Sequence, residues 1–119
     1  MMQLDHTIVP VKNKEEAAKL MALLFGLPDP ETMGHFSAVK INDSLTFDFA
    51  SSENVNSHHY AFWVDQKTFD ESLSRVHEEG FIIGSKPLER DGKVGQRKDS
   101  KHFYFFDPDG HNWELMVKT

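Results

Sequence analysis

Near the end of the chain, Asp107-Pro108-Asp109-Gly110 interrupts a run of strand-forming residues, His-Phe-Tyr-Phe-Phe before it and His-Asn-Trp-Glu-Leu-Met-Val after it. Pro presets φ, Asp bonds its own backbone and Gly accepts positive φ, so these four residues predict a tight turn between two antiparallel strands. Alternation in the second strand puts Trp113, Leu115 and Val117 on one face and Asn112, Glu114 and Met116 on the other. A lone Glu in a strand ordinarily faces water. Glu114 becomes a candidate for chemistry only if histidines far upstream meet it.

Composition narrows the classes. At 119 residues the chain is one domain's worth. Its net charge of −6, with no block of Lys or Arg, gives no footprint for nucleic acid or an anionic membrane. The absence of cysteine excludes disulfides, thiolate nucleophiles and thiolate metal sites. The N-terminus lacks the plan of a signal peptide and no apolar run reaches membrane-spanning length, so a cytoplasmic protein is expected.

In chain order, residues 4–11 read as a strand, with Leu4, His6 and Ile8 on a face expected to be buried. Asn13 is a plausible N-cap for a helix over 15–25, which Gly26 ends. Residues 27–34 carry two prolines and read as a loop, with room for a short strand near Thr32. Strands at 36–41 and 45–50 flank an Asn-Asp-Ser turn. A strand at 58–64 leads into a helix at 67–79, closed by Gly80. A short strand is expected at 81–84, and a polar, mobile connection at 87–101.

This order repeats. Superposing His6 on His59 also sets Val11 on Val64 and Lys14 on Lys67, and a second offset lays Leu45-Thr46-Phe47 on Trp113-Glu114-Leu115. Two half-domains of pattern βαβββ follow, about 2–52 and 57–119, neither able to bury its sheet face alone.

Three stretches then carry a family likeness: Leu-Asp-His-Thr-Ile-Val-Pro-Val from residue 4, His-Tyr-Ala-Phe-Trp-Val from 59, and Phe-Tyr-Phe-Phe-Asp-Pro-Asp-Gly-His-Asn-Trp-Glu-Leu from 103. The chain resembles the vicinal-oxygen-chelate superfamily, which includes glyoxalase I, extradiol dioxygenases, fosfomycin-resistance transferases and bleomycin-binding proteins. The resemblance implies an α+β fold over 1–119, with two βαβββ modules whose curled mixed sheets surround a metal-binding cavity. It also implies metal ligands at His6, His59 and Glu114, a small-molecule substrate, and a homodimer that shares its metal sites.

The donor chemistry stands beside that likeness. Two imidazoles and a carboxylate form a mixed nitrogen and oxygen set suited to one divalent ion, Mn, Fe, Ni, Zn or Co, with positions left open for two adjacent substrate oxygens. On its face, a lone His6 is ordinarily a satisfied core residue. His58 is the alternative to His59 if the strand register differs.

A fourth ligand, Glu or Gln in glyoxalase I, would fall at Thr46, a poor donor; Asp48 on the same strand face is the substitute, directly or through water. Tyr104 matches a tyrosine of both dioxygenases and fosfomycin enzymes, where it would bond a substrate anion. The histidine that dioxygenases carry before that tyrosine is missing, and His102 lies at a different spacing. Glu114, Asp48 or His102 are the candidate general bases. His111 reads as an exposed turn residue, and Arg97 and Lys98 as loop charges able to close over an anion.

The expected function is a divalent-metal enzyme of isomerase, lyase or transferase type. A fosfomycin-type thiol transferase and a metal-free bleomycin-type binder are the alternatives.

Overall fold

Val9 and Val11 are fully buried, whereas Leu4 and Ile8 are 63% and 51% exposed, so the first strand presents the opposite face to the core from the one its sequence suggests. The computed structural model describes residues 1–119 and divides the chain into two compact units, Met1–Val55 and Asn56–Thr119.

In the first unit, β1 (His6–Val11), α1 (Lys14–Phe25), β2 (Glu31–Met33), β3 (Phe36–Asn42) and β4 (Leu45–Ser51) follow in order. The sheet runs β1-β4-β3-β2, with β1 parallel to β4 and the other pairs antiparallel. The β1–β4 register sets Thr7 beside Phe47 and Val9 beside Phe49. Helix α1 packs against β1, β3 and β4, and its buried residues Ala18, Met21, Ala22 and Leu24 close over the Val9 and Phe49 face. Burying a side chain such as Phe49 contributes about 1.5–3 kcal/mol. That cover is why His6 and Ile8 face outward. Both faces of β1 are apolar enough to be buried, and the helix decides between them.

Asn13 caps α1, its side chain accepting from the Glu16 amide at 3.0 Å. Gly26 ends the helix at φ 64°, left-handed backbone that glycine adopts without strain.

The second unit repeats the plan with β5 (His59–Trp63), α2 (Gln66–Glu78), β6 (Gly95–Arg97), β7 (Ser100–Phe106) and β8 (Asn112–Lys118). Its sheet runs β5-β8-β7-β6, with β5 parallel to β8 and antiparallel pairs elsewhere. Trp113, Leu115 and Val117 are buried together with Phe103, Phe105 and the α2 residues Phe69 and Val76. The fold is therefore the expected α+β arrangement, with two four-stranded curled mixed sheets.

Two local expectations change. Residues 81–84 form no strand; only Gly84 bridges to Tyr104, through 2.9 Å bonds in both directions. The polar stretch 87–101 contains β6, which pairs Gly95 with His102 and Arg97 with Ser100. A three-residue edge strand of Gly, Gln and Arg has no hydrophobic alternation to announce it. Just before it, the chain is clasped: Asp91 accepts from the Ser85 and Lys93 amides, both at 3.0 Å.

Candidate metal and substrate site

Glu114 does not face water. It is 4% exposed on the sheet face opposite Trp113 and Leu115, and its strand neighbours are Ala61 on β5 and Tyr104 on β7. His59 pairs with Asn112, two residues before Glu114, so the two side chains meet diagonally on one face. His59 Nε2 lies 3.2 Å from Glu114 Oε1, and His59 Nδ1 lies 3.1 Å from the Asn112 carbonyl.

The other carboxylate oxygen is engaged as well. Arg97 donates from Nη1 to Glu114 Oε2 at 3.3 Å and from Nη2 to the Tyr104 hydroxyl at 3.1 Å. Burial, and then the Glu114 charge, push the Tyr104 phenol above its ordinary value, so it stays a proton donor at neutral pH. Arg97 is thus a bonded partner of the expected ligand. Only strand register, which pairs β6 with β7, brings a loop-like arginine to Glu114.

The first unit presents a related pair. His6 Nδ1 bonds Asp5 Oδ2 at 2.8 Å. That bond raises the His6 imidazole above its ordinary value; desolvation, the next largest effect, opposes it, and the Asp5 and Asp48 charges add to the rise. His6 pairs with Thr46 and Ile8 with Asp48, while His59 pairs with Asn112 and Ala61 with Glu114. The counterpart of Glu114 is therefore Asp48, and Thr46 corresponds to Asn112. The sequence offset that laid Thr46 on Glu114 is therefore two residues out, because Thr46 stands beside His6 as Asn112 stands beside His59.

The remaining histidines separate by role. His58 bonds the Tyr60 hydroxyl through Nδ1 at 3.1 Å, and its ring stands 5.4 Å from that of His111. His111 is fully buried, contrary to the exposed turn residue expected. Its Nδ1 accepts from the His58 amide at 3.0 Å, tying the turn to the start of β5. His102 shares the Tyr104 face of β7 and donates from Nε2 to the Ser85 carbonyl at 2.9 Å. Its buried Nδ1 has no partner. Asn112 donates to the Pro87 carbonyl at 2.6 Å and leaves a buried, unpartnered Oδ1.

The His59 and Glu114 atoms fit a divalent ion. With Nδ1 donating to a carbonyl, the Nε2 of a neutral imidazole carries a lone pair toward a carboxylate oxygen, and two acceptors that close call for a proton or a cation. Donors each about 2.1 Å from one ion and at right angles lie about 3 Å apart, close to the observed spacing. His6, with Nδ1 on Asp5, likewise keeps Nε2 free. The single chain gathers no group of three His, Asp or Glu side chains that could hold a metal ion.

Two solved structures resemble the chain over nearly its whole length. Oxidase ChaP-H1 is 30% identical, covering 100% of this chain and 98% of that one, with a TM-score of 0.95. Oxidase ChaP-H2 is 32% identical, covering 99% and 94%, with a TM-score of 0.93. The fold recurs in a glyoxalase/bleomycin resistance protein from Albidiferax ferrireducens, at 16% identity, 98% of each chain and a TM-score of 0.75. The chain belongs to the vicinal-oxygen-chelate superfamily. Among curated members of that superfamily, the metallothiol transferase FosB of Lysinibacillus sphaericus is 33% identical over 61 residues. That match spans 51% of this chain and 39% of FosB, well under half of the curated relative. No family profile matches the chain. Its superfamily relatives thus include enzymes, an oxidase type and a transferase type by name. No helix of the chain is long and apolar enough to cross a membrane.

Proposed function

We propose that this chain is a divalent-metal-dependent enzyme that holds two adjacent oxygens of a small molecule and oxidises it, with dioxygen as the electron acceptor. The observation that carries the reading is the His59–Glu114 pair, with Nε2 and Oε1 3.2 Å apart and Nδ1 held by a backbone carbonyl. The full-length likeness to two proteins named oxidases favours oxidation over the isomerase or lyase chemistry that the sequence suggested.

In this reading His59 and Glu114 hold the ion together with His6, and Asp48 is the fourth donor. The His6 that completes each site comes from the second copy in a homodimer. The ion supplies Lewis acidity toward the bound oxygens and, where it is redox-active, a path for electrons. Tyr104 donates its phenol proton to a substrate oxygen, and Asn112 Oδ1 accepts from a substrate hydroxyl. His102 Nδ1, a buried lone pair with its ring fixed by Ser85, is the reserve base. Thiol transfer to an epoxide is the second reading, favoured by the partial identity to FosB.

Elemental analysis after loading with Mn(II), Fe(II), Ni(II) or Zn(II), followed by oxygen uptake with vicinal diols, catechols and 2-hydroxy acids, tests the proposal. About one ion per chain, lost in His59→Ala and Glu114→Ala, with oxygen consumed by the Fe(II) form, is the expected result. No bound ion under any condition overturns the enzyme reading. An ion with no oxygen uptake, but with thiol consumption on an epoxide, moves the assignment to the transferase.

A further inference from the structure

Arg97 bridges Glu114 Oε2 and the Tyr104 hydroxyl, yet its own side chain is 49% exposed. A nearly buried carboxylate needs a compensating positive charge, and Arg97 provides one. It does so from the oxygen that His59 does not face. The guanidinium has five donors in a planar fork that suits carboxylates and phosphates, and Nη1 and Nη2 make the bonds to Glu114 and Tyr104. The rest is open to solvent.

A second observation concerns local charge. Between residues 90 and 101 the chain carries Arg90, Lys93, Arg97, Lys98 and Lys101 against Asp91 and Asp99, although the whole chain is net −6. A cationic stretch of an acidic protein therefore includes the strand that borders the candidate site. Such a placement draws anions to the site and leaves the remaining surface repelling them.

We propose that Arg97 stands in for the metal's charge at Glu114 until an ion binds, and then turns its guanidinium to the anionic group of an oxygen-chelating ligand. This rests on the metal-site reading above and adds to it the ligand class: an acid with a neighbouring hydroxyl or carbonyl oxygen. Once an ion neutralises Glu114, the Arg97–Glu114 attraction weakens, and a bidentate acid becomes the better partner. The hand-over makes Arg97 a positioning residue before metal binding and a specificity residue afterwards.

Arg97→Gln and Arg97→Lys, compared with the unaltered protein in metal-free and Mn(II)-loaded forms, test both halves. Arg97→Gln lowers the melting temperature of the metal-free protein by about 4 °C and that of the loaded protein by less than half as much. By linkage its Mn(II) affinity then rises. An equal loss in both forms, or weaker Mn(II) binding, overturns the stand-in role and leaves Arg97 merely structural.

The ligand half is read with glycolate and its uncharged analogue glycolamide, titrated into the Mn(II)-loaded protein. Arg97→Gln weakens glycolate about tenfold, as expected for a charged hydrogen-bonding pair, and glycolamide less than twofold; Arg97→Lys keeps part of the glycolate affinity. Equal losses for both ligands, no loss for either, or no glycolate binding at all overturns the anionic ligand class. Failure of the unaltered protein to bind Mn(II) overturns the metal-site reading itself, a result distinct from the others.

Discussion

Asp48 occupies in the first sheet the position that Glu114 occupies in the second, each next to the residue two places beyond a histidine whose Nδ1 is already hydrogen-bonded. The two units therefore offer matching His and carboxylate pairs, His6 with Asp48 and His59 with Glu114. The match is not one of burial: Asp48 is half-buried, and Glu114 is almost wholly enclosed.

If both pairs serve one ion, Asp48→Asn weakens metal binding by about tenfold, the scale of losing a supporting contact or a weak ligand. Thr46→Val changes it less than twofold. Isothermal titration with Mn(II) separates the two. Equal effects would return Thr46 to the place that the sequence offset gave it.

His58 and His59 make a second comparison. His58 is held on Tyr60 and packs on His111, so His58→Ala is expected to loosen the turn and lower thermal stability while the ion is retained. His59→Ala is expected to lose the ion with little change in the melting temperature of the metal-free protein. Metal content and calorimetry on the same samples check both; retention of the ion by His59→Ala would make His58 the ligand.

What the sequence conveyed follows from which interactions are local. The Asp107 to Gly110 turn, the Asn13 cap and the Gly26 stop each depend on residues within a few positions, and all three stand as read. Trp113, Leu115 and Val117 sort correctly because two of the three alternate residues, Asn112 and Glu114, are polar. On β1 both alternate sets are largely apolar, so only the packing of α1 chooses Val9 over Ile8. The Asp48 correspondence and the Arg97 contacts depend on how distant strands align, and no run of residues encodes that alignment by itself. His111 reads as exposed in the sequence for the same reason: its partner is the backbone of His58, far away in sequence.

The chain has two tyrosines, and both phenols are raised above the ordinary value, Tyr60 by burial and then the Asp107 charge, Tyr104 by burial and then the Glu114 charge. The folded state thus holds these protons more tightly than the unfolded chain does. Their contribution to stability is complete below the ordinary phenol value of about 10 and is lost as pH rises through the folded values. Ultraviolet titration of Tyr60→Phe isolates Tyr104, and adding Glu114→Gln should move its midpoint downward without reaching the ordinary value, because burial remains. An unchanged midpoint would mean that Glu114 exerts no field on the phenol.

Gly95 tests how the β6 edge supports the site. Its backbone is not left-handed, so the demand for glycine is steric: an added Cβ would collide with His102 Nε2 and lie 2.8 Å from the Ser85 carbonyl. These are the two atoms that bond each other and fix the His102 ring. Gly95→Ala must therefore push the ring off Ser85, at the 1–3 kcal/mol of roughly one overpacked methyl. The same substitution in a His102→Ala background leaves only the Ser85 carbonyl to give way and should cost less than half as much. A double-mutant cycle by denaturant unfolding measures the difference. Additive costs would mean that Gly95 is needed for its approach to Ser85 alone, and that His102 can tilt without loss.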